Sequence, residues 1–115
     1  MNSIYREKNG KKQRLFSKFK KMGSISRFLG LMFQSKAAIP LLFTGNGRIA
    51  IHSYFCPPFD AVFLNKDKVV IKTSTVLPNK FLTVKENAFF LLELQHGSIS
   101  KFAIKKRDKL MWTMK

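Results

Sequence analysis

Cysteine is almost absent from this chain, with Cys56 alone among 115 residues. One thiol excludes an intramolecular disulfide, a Cys-x-x-Cys pair and a four-ligand zinc set. Neither a secreted disulfide scaffold nor a zinc finger is available, and a reducing compartment is expected. Long apolar runs are missing too. Phe28-Leu29-Gly30-Leu31-Met32-Phe33 ends at Gln34 after six residues, too short for a signal peptide or a bilayer span. The expectation is a cytoplasmic protein without a transmembrane segment. Phosphate-cradling loops are lacking as well: Gly45-Asn46-Gly47 reads as a bare turn, without the Lys-Ser/Thr or the helix start of a P-loop.

Acids are the other scarcity. Six Asp and Glu stand against 22 Lys and Arg, a formal net charge of +16. Such an excess raises nucleic acid, an anionic membrane or an acidic partner as candidates, against a merely solvated lysine surface. Nine of the basic residues precede Phe28, six lie from Lys101 onward and seven are scattered between. A basic patch therefore requires the two ends of the chain to meet in space. What the chain does have is a core: 45% hydrophobic residues and 12 Phe suffice for one domain of this length without a staple.

Asn9-Gly10 predicts a type I′ hairpin turn, because both central positions need positive φ. Its strands, roughly Ser3 to Lys8 and Lys11 to Phe19, are so lysine-rich that they read as a solvated edge. A rival reading places Leu15, Phe19 and Met22 on a basic amphipathic helix, which Gly23-Ser24 would end after barely two turns. Ser24 or Ser26 caps a short helix near residues 24–33. Beyond it, Ala38 to Phe43 reads as a strand, Gly45-Asn46-Gly47 as a turn and Arg48 to Phe55 as an alternating strand stopped by Pro57-Pro58. Ala61 to Leu64 and Val69 to Thr73 form a hairpin around Asn65-Lys66-Asp67-Lys68. Phe81 to Val84 is a short edge piece, Ala88 to Leu94 an apolar strand, and Leu110 to Met114 a last strand. Eight or so short strands without helical crossovers imply a mainly-β fold, a small sandwich or partly closed barrel with one short helix. No repeat or interior linker divides residues 1–115, which read as a single domain with residues 1–12 a loosely held hairpin strand.

Arg27-Phe28-Leu29-Gly30-Leu31-Met32-Phe33 resembles the Arg-x-x-Gly-Leu-Met-Phe signature of the archaeal and bacterial family catalogued as domain of unknown function 192. Further blocks follow in order. Leu41-Leu42-Phe43 resembles "(Met/Leu)-Leu-Phe", and Pro58-Phe59-Asp60-Ala61-Val62-Phe63-Leu64 resembles "Pro-(Ile/Leu)-Asp-Val-Val-Phe-Leu". Val69-Val70 comes next, then Leu92-Glu93-Leu94-Gln95-His96-Gly97, similar to "Leu-Glu-Leu-Pro-Ala-Gly"; Ile51-His52 fits the archaeal branch. The resemblance covers residues 13–110. Arg107-Asp108 departs from the usual Gly-Asp, Asn65 from a common Asp and Gln95 from the usual Pro. What the resemblance implies is a small mainly-β domain, with no established substrate or catalytic residues.

The chemistry available is thin. His52 and Cys56, four residues apart on a strand, are roughly 13 Å apart at ~3.3 Å per residue, out of hydrogen-bond reach. Cys56 reads as packing, and no metal set is recognisable. Asp60 shares a strand face with Val62 and Leu64, Glu93 with Phe89 and Leu91, so both carboxylates need hydrogen bonds or a cation. Arg27 is the expected partner, fixing the short helix to the sheet. The candidate cluster, structural or ligand-binding, is therefore Arg27, Gly30, Met32, Asp60, Glu93 and Gly97, with no catalytic residue, metal or cofactor assigned. Three functional classes follow. One is a small binding or structural β-domain. Another is a basic protein holding the phosphate backbone of nucleic acid or another polyanion through its Lys-rich termini, with Tyr5, Phe16 or Phe19 stacking on bases. The third is an enzyme with paired-carboxylate chemistry at Asp60 and Glu93.

Overall fold

Two antiparallel hairpins begin the assembly. In the computed structural model, which describes residues 3–24, 39–53 and 57–113, Asn9 and Gly10 adopt φ of 54° and 77°. They join β1 (Ile4–Lys8) to β2 (Lys11–Phe16), with Lys8 opposite Lys11. Asn65 makes the second turn. Its side-chain oxygen accepts the backbone N–H groups of Asp67 and Val69, at 2.9 and 3.0 Å, and turns β5 (Phe59–Leu64) into β6 (Val70–Val76).

The remaining elements are β3 (Lys20–Ser24), β4 (Leu41–His52), β7 (Phe81–Gln95), a four-residue helix α1 (Ser98–Lys101) and β8 (Lys109–Trp112). They form a three-stranded sheet in the order β2-β1-β8 and a five-stranded sheet in the order β3-β4-β7-β5-β6. The fold is mainly β, as expected, and the described residues form two sheets and no closed barrel. The short helix expected near residues 24–33 lies outside the described residues except for Ser24, the last residue of β3. The amphipathic-helix alternative is corrected: Leu15 is on β2, Met22 is on the parallel strand β3, and Phe19 lies between them.

Two expected breaks turn out to be irregularities inside long strands. β4 runs through Gly45-Asn46-Gly47 instead of turning there. β7 joins the pieces read as 81–84 and 88–94, and it sits centrally between β4 and β5. Register explains both. From Thr44↔Phe90 to Gly47↔Ala88, β4 carries one extra residue; from there to Ile49↔Val84, β7 carries two, accommodated with Asn87 at φ 63°. Glycine serves packing here, since a Cβ on Gly45 would stand 2.6 Å from Cγ1 of Ile49 and 2.9 Å from the Ala88 carbonyl oxygen. β1 also differs from expectation. β2 is the solvated edge, but β1 lies between β2 and β8 and its Ile4 is fully buried.

Strand alternation sorts the core into two layers on either side of the five-stranded sheet. Leu42, Val62, Leu64, Leu92 and Leu94 pack against Ile4, Leu15, Phe19 and Leu110 of the three-stranded sheet and its flanks. Phe43, Ile49, Ile51, Phe59, Phe63 and Leu91 occupy the other face. β5 therefore contributes to both layers and every one of its residues is buried, as its apolar run demanded.

Candidate functional site

Asp60 occupies the inter-sheet side of β5 and is 1% exposed. Its Oδ1 accepts the Thr75 hydroxyl from β6 at 3.1 Å, and its Oδ2 accepts the backbone N–H of Ile99 at 2.8 Å. Ile99 is the second residue of α1, whose N-cap, Gly97, has no side chain to cap it and adopts φ 96°. Asp60 therefore caps that helix from a strand 37 positions away in sequence from Gly97. The carboxylate holds α1 through the Ile99 bond and β6 through the Thr75 bond, and the Arg27 partner expected for it lies outside the described residues, as do Gly30 and Met32.

Glu93 is also buried, at 2% exposure. In the antiparallel ladder it stands opposite Leu41 on one side and Ala61 on the other, so it shares their face and not that of Asp60. The two carboxylates thus point to opposite sides of the sheet, and the paired-carboxylate arrangement is not formed. His52 sits on β4 opposite Phe81; Cys56 is outside the described residues.

The basic ends do meet. β1 pairs with β2 on one edge and with β8 on the other, so the first and last strands of the chain build one sheet. Arg6, on the inner side of β1, extends the junction. Its Nη1 donates to the carbonyls of Phe102 (2.8 Å) and Ala103 (3.1 Å) and to Oδ2 of Asp108 (3.3 Å), and its Nη2 donates to Oε1 of Gln13 (2.9 Å). The 102–108 loop is thereby pinned beside the hairpin. Exposed Lys8, Lys11, Lys12 and Arg14 are brought near exposed Lys105, Lys106 and Arg107.

On the outer face two cross-strand rows form, Arg14–Tyr5–Met111 and Lys12–Glu7–Lys109. The Lys109 ammonium donates to the Asp67 carbonyl. Of the three aromatics expected to stack, only Tyr5 faces outward. Phe19 is buried, and Phe16 packs edge-on against Phe102 with ring centroids 4.9 Å apart. Sequence reasoning did not find Arg6 or Asp108: their pairing across 102 positions exists only because β1 and β8 are neighbours. The one signal available was the family-like Asp108 block.

No family model matches the chain. A UPF0127 protein of Pyrococcus furiosus is 31% identical over 94 residues, which span 76% of this chain and 79% of the relative. The chain belongs to the UPF0127 family. That family corresponds to domain of unknown function 192, the resemblance read from the ordered blocks. Two crystal structures share the fold at 19% identity. One, of a "putative transcription regulator" from Sinorhizobium meliloti 1021, has a TM-score of 0.77 and covers 97% of this chain and 94% of its own. The other, of a protein of unknown function from Novosphingobium aromaticivorans, has a TM-score of 0.74 and covers 96% and 84%.

The places where this UPF0127 chain departs from its family pattern now have a physical reading. Arg107, at the position usually Gly, keeps a left-handed φ of 81°, because the turn from Lys105 to Asp108 still has to close. Asn65 does with an amide oxygen what an Asp does with a carboxylate. Gln95 pairs with Phe59 at the end of β7, and its carbonyl accepts the Ser98 hydroxyl at 2.6 Å. No helix among the described residues is long and apolar enough to cross a membrane.

Proposed function

We propose that this UPF0127 domain is a binding module for the phosphate backbone of nucleic acid or a comparable polyanion, acting in the cytoplasm. Its contact face is the outer side of the β2-β1-β8 sheet together with the 105–107 loop. The observation that carries this reading is the double pairing of β1, which brings both Lys-rich ends onto one sheet. The scarce acids reinforce it. Asp60 and Glu93 are buried and Asp108 is engaged by Arg6, which leaves Glu7, Asp67 and Glu86 as the exposed acids against 22 Lys and Arg. Clustered cations release condensed counterions when they replace them on phosphates, which makes such binding strongly salt-dependent.

Fluorescence anisotropy with a labelled single-stranded DNA 20-mer, across a salt series, tests the reading. Binding is expected with a log–log slope of about −0.7 per phosphate contacted. The triple variant Lys12→Ala, Arg14→Ala, Lys106→Ala should reduce the magnitude of that slope by about 2. A control triple with the same charge change, Lys72→Ala, Lys80→Ala, Lys85→Ala, should leave the slope unchanged. Equal losses from both triples, or no binding at about 50 mM salt, would overturn the assignment.

A further inference from the structure

A concavity lies away from the outer face, where β2 approaches α1. Phe16, Pro40 and Phe102 form the apolar part of a groove of about 290 Å³, with His96 and Lys101 also lining it. It shares Phe16 and Pro40 with an adjoining hollow of about 220 Å³, which adds Ile39 and Lys18. Its walls are held from beneath. Asp60 accepts the Ile99 N–H and Ser98 bonds back to the Gln95 carbonyl, so α1 is fixed against the sheet. The Phe16–Phe102 pair is set edge-to-face at 64°, and the Lys101 ammonium lies 5.4 Å from the Phe102 ring centre.

Charge and shape together select an occupant. No carboxylate is among the described residues lining either hollow, while Lys18 and Lys101 stand at them and rings and a proline supply the apolar surface. Concave sites that join an apolar floor to a few placed charges are where small ligands bind. We infer that this groove takes a small amphipathic anion. An aromatic or short aliphatic body rests on Phe16, Pro40 and Phe102, and a carboxylate, sulfonate or phosphate group meets both Lys18 and Lys101. The site is separate from the polyanion face and does not rest on it.

The probe is 1-anilinonaphthalene-8-sulfonate, titrated by fluorescence into the full chain, with neutral N-phenyl-1-naphthylamine as its uncharged counterpart. The sulfonate is expected to saturate at one equivalent. Lys101→Gln and Lys18→Gln should each weaken it by about fivefold, as expected for a partly exposed ion pair, and should change the neutral dye by less than about twofold. Lys85→Gln removes the same charge from β7 and should leave the sulfonate affinity unchanged. Urea unfolding of each variant confirms that the fold persists. Equal weakening by Lys85→Gln, or a neutral dye that binds as tightly as the sulfonate, would overturn the inference. Neither result bears on the salt test of the polyanion face, so the two readings fail separately.

Discussion

β5 and β2 are both six residues long, yet β5 is buried at every position and β2 is exposed at its first four. The difference is positional. β5 lies inside a five-stranded sheet covered on both faces, so each side chain, whichever way it points, enters one core layer or the other. β2 is an edge strand of the smaller sheet, and only Leu15 and Phe16 near its end pack inward. One sheet holds the molecule together; the other presents charge. A carboxylate illustrates the same contrast. Asp60 in the large sheet needs two hydrogen bonds to be tolerated, whereas Glu7 on the small sheet stays in water beside Lys12 and Lys109.

The largest effect should come from emptying the doubly covered strand. Phe63→Ala is expected to cost about 3–5 kcal/mol in urea unfolding, while Lys12→Ala on β2 should stay within about 0.5 kcal/mol. A comparable loss at both positions would dissolve the distinction between the two strands. Next comes the anchor. Asp60→Ala strands the Ile99 N–H and the Thr75 hydroxyl and should cost about 1–3 kcal/mol, with faster hydrogen exchange at the Ile99 amide. Asp60→Asn keeps an acceptor and should lose less. Unchanged exchange at Ile99 in both variants would show that α1 is held by packing alone. The smallest effect carries the opposite sign: Arg107→Gly relieves the left-handed backbone and should raise stability by up to about 1 kcal/mol. A thermal midpoint that falls instead would mean that the Arg107 side chain contributes more than its backbone strain costs.

Much of the scaffold was legible locally. Asn9-Gly10, Asn65 to Lys68 and the apolar alternation of β5 all express turn chemistry or side-chain period, which act within a few residues. Gly45-Asn46-Gly47 misled for a related reason. Glycine signals a turn when positive φ is needed in isolation, but here Gly45 makes room for Ile49 and Ala88, and Gly47 sits where a bulge resets the ladder. Lys85-Glu86-Asn87 misled in the same way, because the irregularity in β7 can only be seen opposite β4. At the candidate site, the burial of Asp60 and Glu93 was readable from their apolar neighbours. Their placement on opposite faces depended on cross-strand register, which no local pattern reports.

The sequence by itself determined the class of fold, the family blocks, the two tight hairpins and the need to satisfy Asp60, since each follows from residue type and short-range spacing. Tertiary structure alone decided that Asp60 caps α1, that Arg6 reaches the 102–108 loop and that both basic ends share one sheet. Those outcomes depend on which strands become neighbours, and that choice is made by burying apolar faces across the whole chain.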